Sequence, residues 1–290
     1  INNQLNIFIM KKVILSISAM LFVGVAAIAQ GNTSSVNQIG NSDTGIVNQN
    51  GQTNDSKIDQ LGDSNKSEVY QGIQPATYNA VSNKADVKQD GNSNGAFISQ
   101  SNHDNQAYQT QKGNSNSATI WQDQIVNAPS STGGFDKAWQ TQTGNNNTAT
   151  VDQGTTGNEK PTGAPFTAAQ IGHVNGVAVP VGPHSKNEAT QTQKGDNNVA
   201  YASQGGVSNK SWQTQTSPSG TTAANKNVSN HYQYGDENQA TSVQNGTKLT
   251  ENTLQIGNKN TATVTQTGAA HSSIAFSKGN MNVITVTQSN

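Results

Sequence analysis

The side chain that recurs at a spacing able to do chemistry is the carboxamide of Gln. A carboxamide carries two N–H donors and an acceptor carbonyl, so identical amides set one above another can bond copy to copy. One such bond contributes about 0.5–1.5 kcal/mol net, whereas a buried amide without a partner costs about 1–3 kcal/mol. The marker residues are Gln38, Gln49, Gln60 and Gln71; Gln89, Gln100, Gln111 and Gln122; Gln142 and Gln153; Gln170; Gln193, Gln204 and Gln215; and Gln233, Gln244, Gln255, Gln266 and Gln288. Within each group the step is 11, and Ser277 fills the slot between Gln266 and Gln288, giving twenty units. Asn54, Asn83, Asn198 and Asn260 precede their markers by six residues and are candidates for a second amide ladder.

Other chemistry is poorly represented. His103, His173, His184, His231 and His271 have no partner at ligand spacing and read as surface or turn residues. There is no cysteine, hence no thiol and no disulfide. Glycines recur with the repeat and serve turns rather than a phosphate loop, and no carboxylate pair stands apart from the solvated face. The pattern predicts no catalytic residue, no cofactor, no metal and no small-molecule substrate. A net charge of −1 without a basic stripe argues against nucleic acid as a partner.

Positioning amides every eleven residues requires strands. The residues before each marker alternate with period two: Asn83, Ala85, Val87 and Gln89, or Asn54, Ser56, Ile58 and Gln60, fall on one face. Lys84, Asp86 and Lys88, or Asp55, Lys57 and Asp59, fall on the other, where such charges can act as gatekeepers against aggregation. Gln-x-Gly-x-x-Asn, as at Gln255 to Asn260, reads as a turn in which Gly and Asn take positive φ. Two units then form one strand–turn–strand layer. The fold expected is all-β: a cross-β solenoid of about ten layers of two strands. Val36, Val47, Ile58, Val69, Val87, Ile98, Ile120, Val151, Val264 and Val286 supply a thin apolar seam. Such a seam compensates for a composition of 31% hydrophobic and 11% charged residues, against roughly 45–50% and about 25% in ordinary soluble domains.

Insertions containing Pro75, Pro129, Pro161 and Pro218 fall between layers on this pairing. The segment with Pro180 and Pro183, after Gln170, falls inside one. The N-terminal region reads as a leader: Lys11 and Lys12, an apolar run from Val13 to about Ala26, and a small-x-small site at Ala27–Ala29. Residues 1–9 are expected to be upstream over-translation, 10–29 a signal peptide, and 30–290 a secreted repeat solenoid. The repeat starts with Asn32, Ser34, Val36 and Gln38, its last unit reaches Asn290, and no capping segment is visible. An uncapped stack offers its edge as a template, so axial polymerisation of the chain with itself is expected.

Two outward features could bind something. Tyr108, Trp139, Tyr201 and Trp212 lie three residues before a marker, and Tyr70, Trp121 and Tyr232 one before; this register turns all of them to solvent. Thr141 and Thr143, Thr190 and Thr192, Thr214 and Thr216, and Thr261, Thr263 and Thr265 form outward Thr-x-Thr runs, as an ice-binding or adhesive monomeric solenoid would carry. Charged residues interrupt that pattern in several layers.

The phrase Gln-x-Gly-x-x-Asn-x-Ala-x-x-x-Gln resembles the curlin repeat of bacterial curli. Gln255, Gly257, Asn260, Ala262 and Gln266 match it, as do Gln193, Gly195, Asn198, Ala200 and Gln204. The resemblance runs with interruptions over 32–290. It implies a subunit exported through an outer-membrane channel and assembled on a nucleator subunit into extracellular amyloid fibres for cell adhesion and biofilm matrix.

Overall fold

The computed structural model describes residues 31–72, 80–122, 133–154 and 185–290. The expected over-translated stretch 1–9, the signal peptide 10–29 and the Gln170 unit lie outside the described residues. In chain order the strands are β1 (Thr33–Ile39), β2 (Thr44–Gln49), β3 (Gly51–Gln52), β4 (Asp55–Leu61), β5 (Lys66–Gln71), β6 (Ala80–Val81) and β7 (Lys84–Asp90). They continue as β8 (Gly95–Gln100), β9 (Gln106–Lys112), β10 (Ser117–Gln122), β11 (Lys137–Thr143), β12 (Thr148–Gln153), β13 (Glu188–Lys194) and β14 (Val199–Gly205). The last are β15 (Lys210–Thr216), β16 (Val228–Tyr234), β17 (Gln239–Thr247), β18 (Thr250–Ile256), β19 (Thr261–Ala269), β20 (Ser272–Lys278) and β21 (Val283–Ser289).

These strands build the expected solenoid. One sheet holds ten strands in the order β1-β4-β7-β9-β11-β13-β15-β17-β19-β21, and the facing sheet holds nine, β2-β5-β8-β10-β12-β14-β16-β18-β20. Every neighbouring pair is parallel and the marker residues are in register throughout, as in Gln38 opposite Gln60 and Gln122 opposite Gln153. Among the described residues this makes nine complete layers and, in β21, one strand of a tenth. β3 and β6 pair as a short third sheet at a turn.

The pairing corrects the layer assignment between residues 154 and 192. β11 pairs directly with β13 and β12 directly with β14, so the layer of Gln142 and Gln153 is the neighbour of the layer of Gln193 and Gln204. The expectation failed because Gln170 matches the period while lacking the rest of the unit: Ala164 stands where an Asn belongs and Phe166 where an Ala belongs. Removing one unit reverses the parity of all that follow. The segment with Pro180 and Pro183 therefore joins two layers, and it is the Pro218 insertion, between β15 and β16, that sits within a layer.

Turn chemistry differs from expectation in one respect. Gly257 has φ +113°, and a Cβ there would lie 2.1 Å from the Gly279 carbonyl oxygen of the next layer. The second left-handed residue is not Asn260 but Lys259, with φ +59°. Equivalent positions are held by Ser42, Ser64, Ser93 and Asn146, so residue type there is weakly constrained. Asn260 instead turns inward and is buried.

The interior is a double row of small and aliphatic side chains. Ile58, Val69, Val87, Ile98, Ile120 and Val151 pack with Ala85, Ala96, Ala107, Ala138, Ala189 and Ala202, and Val47 borders them. Val264 packs near Val286 in a separate cluster. Val36 points along the same seam but is 44% exposed, because β1 is an edge strand. Each fully buried aliphatic contributes about 1.5–3 kcal/mol.

Candidate functional site

Parallel, in-register stacking puts each marker amide directly above its copy. In the ten-stranded sheet, Nε2 of Gln38 donates to Oε1 of Gln60 at 2.7 Å, and the chain of donation continues through Gln89, Gln111, Gln142, Gln193, Gln215, Gln244 and Gln266 to Gln288. In the facing sheet it runs from Gln49 through Gln71, Gln100, Gln122, Gln153, Gln204 and Gln233 to Gln255. It stops there, because Ser277, which occupies the next rung opposite Gln255, is too short. Beyond Gln38, the second N–H of the marker amides crosses to a backbone carbonyl of the other sheet: Gln142 to Ser117, Gln153 to Lys137, Gln266 to Thr250. The markers thus tie layer to layer and sheet to sheet at once.

Asn residues form a second pair of columns with the opposite polarity. Oδ1 of Asn32 accepts from the Asn54 backbone N–H at 2.9 Å, and the pattern repeats through Asn83, Asn105, Asp136, Asn187, Asn209, Asn238, Asn260 and Asn282. The other sheet carries Asp43, Asn65, Asn94, Asn116, Asn147 and Asn198 in the same way. Gln side chains donate toward higher-numbered layers, and the backbone N–H groups of these inward Asn donate toward lower-numbered ones; their side-chain N–H groups reach both ways, as Asn94 does to Asn65 on one side and to the Gly113 carbonyl on the other. All four Asn named from the sequence, Asn54, Asn83, Asn198 and Asn260, are buried members of these columns.

A third ladder has no counterpart in the expected pattern. Gln109, Gln140, Gln191 and Gln213 replace the aliphatic residue two before the marker and bond in series at 2.8–2.9 Å. Oε1 of Gln109 accepts no hydrogen bond, because β7 places Val87 in the preceding rung. The signal in the sequence is the triplet Gln-Thr-Gln, repeated at 109–111, 140–142, 191–193 and 213–215.

His231 corrects the expectation of a surface or turn histidine. It occupies an inward position of β16, is fully buried, and its Nε2 lies 3.4 Å from the equally buried Oε2 of Glu251 on β18. Both residues sit at inward positions of the period, His231 two before Gln233 and Glu251 four before Gln255, a placement that reading the histidines by their scatter alone passes over. Among the described residues no three His, Asp or Glu side chains converge as metal ligands, and no helix is long and apolar enough to cross a membrane.

The outward aromatics are not free in solvent. They also lie on two different faces: Tyr108, Trp139 and Trp212 on the ten-stranded sheet, Tyr70, Trp121, Tyr201 and Tyr232 on the other. Stacked layers bring rings within contact, so they cover one another. Tyr108 and Trp139 are parallel at 5.9 Å, and Phe97 lies 5.7 Å from Tyr70 and 4.5 Å from Trp121. Tyr201 and Tyr232 are 6% and 2% exposed. Burial pushes the phenols of Tyr201, Tyr232 and Tyr234 upward, that of Tyr234 to about 12.

The Thr-x-Thr residues gather on one face. Thr190 and Thr192, Thr241, Thr263 and Thr265, and Thr285 and Thr287 are in register on the ten-stranded sheet. The charged interruptions in those two columns are confined to Lys57 and Asp59 of β4 and Asp86 and Lys88 of β7. Tyr108, Trp139, Trp212 and Val243 break the remainder, and Ser35 and Asn37 stand in these columns on β1.

Residues 257–289, spanning β19 to β21, match the family model described as the curlin associated repeat, which bears out the resemblance read from Gln255 to Gln266. No curated protein matches the chain.

Proposed function

We propose that this chain, which carries a curlin associated repeat over residues 257–289, is a structural, non-catalytic subunit that stacks axially on copies of itself into extracellular curli-like amyloid fibres. The observation that carries the reading is the state of the two end layers. Among the described residues β1 and β2 end the stack on one side and β20 and β21 on the other, with no element over them. On β1 and β21 the inward side chains are the same Gln, Asn and aliphatic residues that interior layers bury, and there they stay partly exposed, as Val36 and Val286 do; β20 instead presents the small buried residues Ser273, Ala275 and Ser277. Edge strands with open backbone groups and a complementary side-chain pattern template further pairing.

The polarity of the ladders adds a direction. A Gln ladder has a donor end at Gln288 and an acceptor end at Gln38, so unlike ends are complementary and like ends are not. Head-to-tail stacking follows. Adhesion and biofilm matrix, export through an outer-membrane channel and initiation on a nucleator belong to the same reading through the resemblance. Electron microscopy of the purified mature chain, with thioflavin-T kinetics alongside, tests it: unbranched fibres and a rising signal are expected, and a persistently monomeric chain would refute it.

The Thr face supports a second, subordinate reading as an ice-binding or adhesive monomeric solenoid. Thermal hysteresis from a solution without fibres is the result that would favour it.

A further inference from the structure

Six polar inward side chains meet at one place, and four of them, His231, Ser242, Glu251 and Thr253, break the repeat's chemistry. Ser211, Ser229, His231, Ser242, Glu251 and Thr253 are spread over four strands, β15 to β18, yet form one buried cluster. Ser211 Oγ lies 2.8 Å from His231 Nδ1, and His231 Nε2 lies 3.4 Å from Glu251 Oε2. That carboxylate accepts from Ser229 Oγ at 2.8 Å and contacts Thr253 Oγ1, while Ser229 and Ser242 hydroxyls are 2.6 Å apart. Gln213 closes the cluster by donating to the Ser229 carbonyl at 2.8 Å. The cluster is sealed, so it cannot meet a substrate. Layers on either side offer Ala202, Ala275 and Ser273 at these positions and no further titratable group.

The rest of the stack gives this cluster its meaning. Gln, Asn and Ala columns are nearly identical from layer to layer, so a layer could be looped out, or paired with the wrong neighbour, without breaking any of them. Repetitive strands specify register weakly. In the native order His231 sits beside Glu251. Expelling the β17–β18 layer leaves His231 buried against Ala275, and replacing β16 by β8, β10, β12 or β14 as the neighbour of β18 sets the Glu251 acid against an alanine, Ala96, Ala118, Ala149 or Ala200. A buried ionisable group without its partner is strongly disfavoured, and a single buried polar contact that fixes register is the best attested use of such groups.

We propose that this cluster is a register key: the group of residues that determines which layers are neighbours in a chain whose repeats are otherwise interchangeable. Introduced cysteines test it, because the chain has none of its own. Thr214 stands opposite Val243, and Val243 opposite Thr265. Under mild oxidation a Thr214→Cys/Val243→Cys chain reports the native order, and a Thr214→Cys/Thr265→Cys chain reports loss of one layer. With the key intact, the first is expected to cross-link and the second not. The keyless background is Ser211→Ala, Ser229→Ala, His231→Val, Ser242→Val, Glu251→Ala and Thr253→Val. There the cross-linked fraction of the second reporter is expected to rise at least about tenfold, since the penalty on the wrong order is gone. A keyless chain that folds with unchanged cross-links overturns the proposal. So does one that fails to fold, since the cluster would then serve stability and not choice of neighbour. His231→Val alone, which leaves Glu251 buried without it, is expected to be less stable than His231→Val with Glu251→Ala; equal stability would also count against a key.

Discussion

Gln140 and Gln191 are separated by 51 residues and joined side chain to side chain at 2.9 Å. The bond crosses from β11 to β13 over a long insertion, and it stays in register because the layer above and the layer below are built from the same unit. Stability in this stack is therefore expected to follow rungs and not sequence neighbourhoods.

Gln142→Ala removes an interior rung, leaving the Gln111 donor and the Gln193 acceptor buried without a partner. A loss of about 1–3 kcal/mol per stranded group is expected in chemical denaturation of the monomer. Gln38→Ala, at an edge, strands only the Gln60 acceptor in a partly exposed layer and is expected to cost less.

The third ladder predicts non-additivity. Gln140→Val alone breaks the series in its middle and is expected to cost about 1–3 kcal/mol. Replacing Gln109, Gln140, Gln191 and Gln213 together by Val extends the aliphatic seam and is expected to be near neutral or stabilising, because no amide is left without a partner. Denaturation of the two variants side by side checks this; equal or additive losses would show that the amides act independently.

Gly257→Ala puts a methyl group into the carbonyl of Gly279 and forces a side chain into the left-handed region. A loss above about 1 kcal/mol is expected. Lys259→Ala, at the other left-handed position of the same turn, loses only an exposed ion pair to Glu237 at 3.9 Å and is expected to cost less. Thermal melts of the two would compare them.

Alkaline pH should open the covered face of the nine-stranded sheet. The phenol of Tyr234 is held neutral up to about 12, while an unfolded tyrosine ionises near 10. Between those values the unfolded chain binds fewer protons than the folded one, so stability falls as pH rises. It is fully present below about pH 10. Tyrosinate absorbance is expected to rise together with loss of β-sheet circular dichroism. Ionisation of Tyr234 near pH 10 with the sheet intact would contradict the burial.

The periodic part of this fold is legible in the sequence because eleven-residue spacing, alternation and turn glycines all say the same thing. Spacing alone places Gln38 to Gln288 on two sheets, facing inward. Gln170 misleads because a Gln-rich chain supplies markers by chance; the other inward positions help but do not decide, since Gln49 follows Asp43 and Gly45, and Gln255 follows Leu249 and Glu251, yet both lie in strands of the stack. The cover over Tyr201 and Tyr232 is illegible for another reason. Alternation says which face a side chain takes and nothing about what packs on that face. The His231–Glu251 contact joins strands two units apart in the same sheet, a pairing that either parity gives, and it is hidden by reading His231 as a surface or turn residue.

End layers separate folding from assembly. Val286 is inward on the edge strand β21 and half-buried. Val286→Lys leaves an ammonium that the monomer can hydrate but that an axial neighbour would bury, at a cost of several kcal/mol for an unpaired charge. Its melting temperature should stay close to that of the parent, while fibre elongation, followed by thioflavin-T after seeding, should slow at least about tenfold. Val151→Lys, in an interior layer, should instead prevent folding.

The most direct measurement is X-ray diffraction from aligned fibres of the mature chain. Continuation of the stack from copy to copy requires strands perpendicular to the fibre axis, and hence a meridional reflection at about 4.7–4.9 Å with an equatorial one near 10 Å. A reflection of that spacing on the equator would mean that subunits associate side by side with their stacks across the axis. That result, or the absence of fibres to align, would contradict the account.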